Sequence, residues 1–251
     1  MSTQPSILFV FDTSASKGTN GAPIGWWLSE ASHPYYTFAP HLNITFASLA
    51  GPNPPVDAGS VELSTDDASV RFLKDPVVQE KLSTASNLSD INSADFDAIF
   101  YVGGHGPVVD LPEDEVNIRL AGEFWRAGKV TAAVCHGPAY VLSFSFNLCF
   151  SHILTFYSAL ANVVNAAGKS IFDGRAFTAL SNAEETLLDG VNVGQKIPWS
   201  VEDKLTSKGG KFEATDPFQA KVVVDGNLYT GQNPASAGPL AQAVLQALRK
   251  K

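Results

Sequence analysis

A chain of 251 residues with 45% hydrophobic and 17% charged side chains can bury a large core, which excludes a disordered or collagen-like protein. Its formal charge of −8, with Lys and Arg scattered rather than clustered, repels phosphate backbones and anionic lipid, so neither a nucleic-acid nor a membrane partner is expected. Two cysteines, Cys135 and Cys149, form neither a disulfide framework nor a metal-ligand spacing; with no basic-then-apolar leader, the expected location is cytoplasmic, with the nucleus as a second possibility.

The apolar run Ser6–Phe11, ending in Asp12-Thr-Ser, predicts a buried strand and a loop. Gly25 to Ala31 has helical character, and Pro34 is expected to end that helix. Asn43–Ser48 alternates as a second strand before the loop Gly51-Pro-Asn-Pro-Pro55. Asp97–Val102 predicts a third strand, stopped by Gly103-Gly-His-Gly106, and Asn117–Arg126 a helix ended by Gly128. Val130–Val134 predicts a fourth strand running directly into Cys135-His136-Gly137-Pro138. Ser200-Val-Glu-Asp203 has the form of a capping box for a helix that stops near Gly209-Gly210. Lys221–Val224 and Leu228–Thr230 around Asp225-Gly226 predict a hairpin, and Leu240, Val244, Leu245 and Leu248 one face of a final helix.

Strands alternating with helices imply an α/β fold, a mostly parallel sheet covered on both faces, over one domain spanning 1–251. Sites in such sheets form at the carboxyl ends of strands, where Cys135, His136 and Gly103 to Gly106 fall. A thiol at a strand-to-helix turn faces the N-terminus of the next helix, whose free amides and dipole favour thiolate. His136 supplies a base next to it, and Gly137 permits the tight turn. The competing reading is a buried structural cysteine, which the strand–Cys–His–Gly–Pro–Ala pattern makes the poorer one.

Ala133-Val-Cys-His-Gly-Pro-Ala139 resembles the nucleophile elbow of the class I glutamine amidotransferase-like superfamily, and within it the PfpI-type branch of glutathione-independent glyoxalases (glyoxalase III) and heat-shock chaperones. Three further segments agree in order and spacing: Gly25-Trp-Trp-Leu-Ser-Glu30 with His33-Pro34, Gly103-Gly-His-Gly-Pro107 with Asp110, and Thr230-Gly-Gln-Asn-Pro-Ala-Ser236. The resemblance implies a flavodoxin-like three-layer sandwich. It makes Cys135 the nucleophile, His136 its base or acid, and Glu30 the carboxyl that touches the thiol. A downstream glutamate orients the histidine; Glu185 fits that position slightly better than its neighbour Glu184. Gly103, Gly104, His105 and Gly137 are expected at the oxyanion or substrate, although His105 reads equally well as scaffold. Alone, Glu30, Glu184 and Glu185 would read as solvated carboxylates, and His33 and His41 as local or surface residues. Trp26 and Trp27 fit either the pocket wall or the core.

The activity implied is conversion of methylglyoxal and similar 2-oxoaldehydes with water into 2-hydroxy acids, D-lactate above all, without metal or other cofactor. Two alternatives stand beside it: a redox-sensitive or holding chaperone of the stress response, and a cysteine amidohydrolase or peptidase. A homodimer is implied as well. One segment does not fit: Tyr140 to Ser158 is apolar or hydroxylated all round and carries no formal charge, yet Asn147, His152 and its serines make a poor span. Without it Ala139 joins Ala159 in an ordinary elbow helix, so the segment reads as translated intron or, alternatively, as a lid or oligomer insert.

Overall fold

In this computed structural model the described residues are 4–13, 24–108, 111, 114–138, 160, 163–189 and 200–250. Asp110, Cys149 and the segment 140–158 lie outside them, as does the stretch directly after Pro138 in which the elbow helix was expected. The strands are β1 (Ser6–Phe11), β2 (Asn43–Ser48), β3 (Ser86–Asn87), β4 (Ala98–Tyr101), β5 (Val130–Val134), β6 (Ala176–Phe177), β7 (Lys211–Phe212), β8 (Val222–Asp225) and β9 (Leu228–Gly231). The α-helices are α1 (Leu28–Phe38), α2 (Ala58–Leu63), α3 (Asp67–Phe72), α4 (Pro76–Ser83), α5 (Glu115–Arg126), α6 (Asn182–Asp189), α7 (Val201–Ser207) and α8 (Ala237–Arg249).

Seven strands form the main sheet in the order β3-β2-β1-β4-β5-β9-β8, parallel throughout except for the β8–β9 hairpin. Alternation along the strands divides the core between two faces. Ile7, Phe9 and Phe11 face one side with Phe46 and Phe100, beneath Leu28, Tyr35 and Phe38 of α1 and the predicted Leu240, Val244, Leu245 and Leu248 stripe of α8. Leu8 and Val10 face the other side with Ile99 and Tyr101, against Leu120 and Phe124 of α5 and Leu205 of α7. The result is the mostly parallel, doubly covered sheet expected from the strand pattern and the flavodoxin-like three-layer arrangement that the resemblance implies.

Two local expectations are corrected. The first helix begins at Leu28, not Gly25: residues 24–27 are extended, with Trp26 bridging to Val56 and to Gly104. It also runs through Pro34 to Phe38. A mid-helix proline costs ~3 kcal/mol, which burial of Leu28, Ala31, Tyr35 and Phe38 along the inner face outweighs. The sequence pattern had also left 56–83 unassigned. Asp57, Asp66 and Asp75 each accept a backbone N–H in its first turn and so cap α2, α3 and α4.

Because β1, β4 and β5 are parallel neighbours, their carboxyl ends deliver Asp12, Gly103 and Cys135 to one edge of the sheet. The extended 24–27 segment is bonded across that edge, with the Trp27 amide donating to the Gly103 carbonyl at 2.9 Å and the Gly106 amide to the Gly25 carbonyl at 3.3 Å. This docking aims the first turn of α1, and Glu30 with it, at the end of β5.

Candidate active site

Cys135 leaves β5 with φ of +58°, a left-handed conformation that side chains other than glycine adopt at a cost of about 1–3 kcal/mol. The surroundings enforce it. The Cys135 amide donates to the Gly231 carbonyl at 2.9 Å, and the Cys135 carbonyl accepts from the Leu180 amide at 3.2 Å. The Gly137 amide closes the turn onto the Val134 carbonyl at 2.8 Å, and a Cβ on Gly137 would stand 2.9 Å from that oxygen and 3.1 Å from the Tyr101 carbonyl. Gly137 therefore serves the turn. Its N–H is engaged there and not offered to a substrate, which corrects the role expected of it.

Glu30 is fully buried beside the thiol of Cys135 and the backbone N–H of Gly103. Neither carboxyl oxygen has a hydrogen-bond partner of good geometry among the described residues, and burial pushes the carboxyl up from 4.5 to about 8 against the smaller opposing influence of the Cys135 thiol and the Gly103 amide. Gly103 is required by space: a Cβ there would collide with Glu30 Oε2 and the Val134 carbonyl. Its amide points to the Glu30 carboxyl, so the oxyanion role expected of Gly103 is not the one its geometry serves. Gly104, at φ of +111°, lies against the 25–27 backbone, where a Cβ would fall 2.5 Å from the Gly25 carbonyl.

His136 joins the thiol to a second carboxyl. Its Nδ1 lies 3.4 Å from Cys135 Sγ, and its Nε2 lies 2.5 Å from Glu185 Oε1. With Nε2–H donating to Glu185, Nδ1 is left to accept from the thiol, a tautomer assigned from this network. Of the two adjacent glutamates, Glu185 thus takes the orienting position. Glu184 points the other way and accepts from Ser181 N and Oγ, Phe218 N, Gln232 Nε2 and Asn233 Nδ2 at 2.7–3.0 Å. The Gln232-Asn233 pair of the Thr230–Ser236 motif therefore buttresses α6, a role the sequence did not disclose.

The direction of the thiol's shift departs from expectation. Burial, followed by the neighbouring Glu30 carboxyl, holds Cys135 well above the ordinary thiol value. The residues expected to form a helix after Pro138 lie outside the described ones, and within these the pair is a thiol beside a carboxyl that burial favours in its protonated form. His136 is the base within reach of the thiol, with the Glu185 carboxyl on the far side of its ring.

The sulfur opens on a cavity of about 170 Å³, lined among the described residues by Cys135, His105 and His136 with Trp27, Leu63, Leu180, Leu188, Phe218 and Pro234. It is smaller than the ~300–1,000 Å³ typical of drug-sized ligands and suits a small molecule. Trp26 is in the core, while Trp27 is the wall. His105 is buried with its ring 4.8 Å from that of His136 and its Nδ1 4.0 Å from Asp57 Oδ2, so it belongs to the site and not merely to the turn. His33 bonds Asp66 at the surface and takes no part. His105, His136 and Glu185 offer ligand atoms within 4.8 Å of one another, but a cation there would have to break the His136–Glu185 hydrogen bond. No helix among the described residues is long and apolar enough to cross a membrane.

Comparison with known proteins places the chain by sequence and by fold. Residues 30–182 match the model of the DJ-1/PfpI family. The chain is 30% identical over 188 residues to the "Probable glutathione-independent glyoxalase hsp3104" of Schizosaccharomyces pombe, covering 74% of this chain and 76% of that one. It is 27% identical over 237 residues to the "Glutathione-independent glyoxalase HSP31" of Saccharomyces cerevisiae, covering 92% of each. Among solved structures, the Rapid Encystment Protein 24 KDa of Francisella tularensis superposes with a TM-score of 0.83 at 30% identity, over 97% of this chain and 99% of that one.

Proposed function

This chain belongs to the DJ-1/PfpI family, and from that premise we propose that it is a glutathione-independent glyoxalase, turning methylglyoxal and related 2-oxoaldehydes into 2-hydroxy acids, with D-lactate the product from methylglyoxal. The observation that carries the reading is the convergence of four side chains at one sulfur: Cys135 and His136 line a small cavity, Glu185 bonds the far side of the His136 ring, and the buried Glu30 carboxyl stands beside the thiol. The names borne by the fungal relatives support the same class of activity.

The reaction is an internal redox exchange that needs no outside oxidant. Cys135 Sγ bonds to the aldehyde carbon; its proton goes to His136, and Glu30 gives its own proton to the aldehyde oxygen, forming a hemithioacetal. Glu30, now a carboxylate, removes the proton from C1. The electron pair moves to the C2 carbonyl, whose oxygen takes the proton held by His136, leaving an enediol. Glu30 then returns its proton to C2 while the C1 hydroxyl proton passes to His136. The product is a 2-hydroxy thioester, with C1 oxidised and C2 reduced. The Glu30 carboxylate takes a proton from water as the water oxygen bonds to the thioester carbon; the C–S bond breaks, and the leaving sulfur takes the proton held by His136, which restores all three groups. His105, with Asp57 behind it, is placed to donate to a substrate oxygen. We propose a homodimer in the cytoplasm or nucleus as its setting.

Purified protein given methylglyoxal without glutathione and in the presence of a chelator is expected to accumulate D-lactate. A chain that makes none but suppresses aggregation of a denatured client would move the reading to the holding chaperone.

A further inference from the structure

Phe218 lies in the chain segment between β7 and β8, outside every motif discussed above, yet its ring is one wall of the cavity over Cys135. Its φ of +61° places a bulky side chain in the left-handed region, a genuine outlier for such a residue. Among the described residues only Asn53, Cys135 and Phe218 share that conformation without being glycine, and two of these three line the same cavity. Strain of this kind persists only where the surroundings hold it, and it concentrates at functional sites.

What holds Phe218 is Glu184. The Phe218 amide donates to Glu184 Oε1 at 2.9 Å, the same oxygen that accepts from Asn233 Nδ2 at 2.7 Å, and the Gln219 amide closes onto the Asp216 carbonyl at 3.1 Å. Ser181 and Asn233, both bonded to Glu184, directly adjoin Leu180 and Pro234 in the chain, and Leu188 stands one turn further along α6. Four wall residues are therefore fixed through one buried carboxyl. Phe218 remains 45% exposed as a residue, so it contributes little to the core while lining the cavity. Besides the reacting Cys135 and the two histidines, the described lining is wholly apolar and carries no charge to attract a hydrated dialdehyde.

We propose that Phe218 is the specificity-determining residue of this pocket, selecting 2-oxoaldehydes whose substituent is apolar, aromatic above all, over the smallest ones. The inference rests on the glyoxalase reading of the same site. An apolar substituent gains by leaving water for the Phe218 and Leu188 walls, whereas a second polar carbonyl loses its hydration there. Apolar pockets discriminate by roughly tenfold or more for modest differences in buried hydrocarbon.

The test compares kcat/KM for phenylglyoxal and methylglyoxal in wild type, Phe218→Ala and Phe218→Leu. Wild type is expected to favour phenylglyoxal by about tenfold, Phe218→Ala to lose most of that ratio and Phe218→Leu to fall between. A second readout needs no turnover: alkylation of Cys135 by N-phenylchloroacetamide and by chloroacetamide, each relative to its rate with free cysteine, should show the same Phe218-dependent preference. Turnover of both aldehydes with a ratio indifferent to Phe218 would overturn this proposal alone. No turnover of either would overturn the glyoxalase reading, and the alkylation ratio would then decide the role of Phe218 by itself.

Discussion

Glu30 on α1 and Glu184 on α6 are both fully buried within the walls of one site, and both come from the first turn of a helix. Glu184 collects donors from Ser181, Phe218, Gln232 and Asn233, whereas among the described residues Glu30 has beside it only the Gly103 amide and the Cys135 thiol. The difference lies in the donors, not the depth. A buried carboxyl ringed by N–H and O–H groups becomes a structural joint; one left with few donors keeps its proton and can trade it with a substrate. The α6 side is thus built to stay still and the α1 side to react.

Removing the sulfur should have the largest consequence: Cys135→Ala is expected to lower turnover by about 10⁴-fold or more with an unchanged circular-dichroism spectrum. On the reactive side, Glu30→Gln should cost about 10²–10⁴-fold in kcat, the range of general acid–base catalysis, and wild-type kcat/KM should decline as pH passes about 8, where Glu30 gives up its proton. The same substitution should strengthen the fold. The folded value lies above the unfolded one, so stability from this proton is complete below 4.5 and is lost as pH rises towards about 8. Gln carries no such proton, and Glu30→Gln should be more stable than wild type by about 3 kcal/mol at neutral pH, at roughly 1.4 kcal/mol per pH unit, with the advantage vanishing near pH 4.5. Urea unfolding across pH checks both ends of that window. Glu185→Gln should lower kcat by about 10²-fold with little change in stability, because it disturbs only the orientation of His136. On the still side the pattern should invert: Glu184→Gln should cost about 1–3 kcal/mol of stability by misdirecting buried donors, and raise KM more than it lowers kcat. Equal kinetic damage from Glu184→Gln and Glu30→Gln would erase the distinction between the walls.

Much of this was legible before any coordinates, and the limits have physical causes. The strands β1, β2, β4 and β5, the hairpin and α8 followed from apolar runs, alternation and the heptad-like stripe, since burial on a sheet face imposes those periods. Cys135, His136 and Glu30 stood in segments that the family resemblance marked by order and spacing. Glu184 and Glu185 could not be separated with assurance because adjacent helical residues differ only in direction, which the partners Gln232 and Asn233 settle from elsewhere in the chain. Phe218 left no signal at all: Asp216-Pro217-Phe218 reads as any turn, and the strain that marks it is a backbone angle. The raised carboxyl of Glu30 was foreseeable only as a consequence of burial, which an isolated helix position does not reveal. The expected thiolate failed for the same reason, since sequence shows a helix start but not how deeply the sulfur lies.

The decisive quantity is the protonation of Glu30 in the resting protein. An infrared difference spectrum of wild type minus Glu30→Gln, followed from pH 6 to 10, should contain a protonated-carboxyl band at neutral pH that disappears with a midpoint near 8. Absence of that band at neutral pH would mean the acid facing the thiol is already ionised, and the proton-transfer scheme built on it would be wrong.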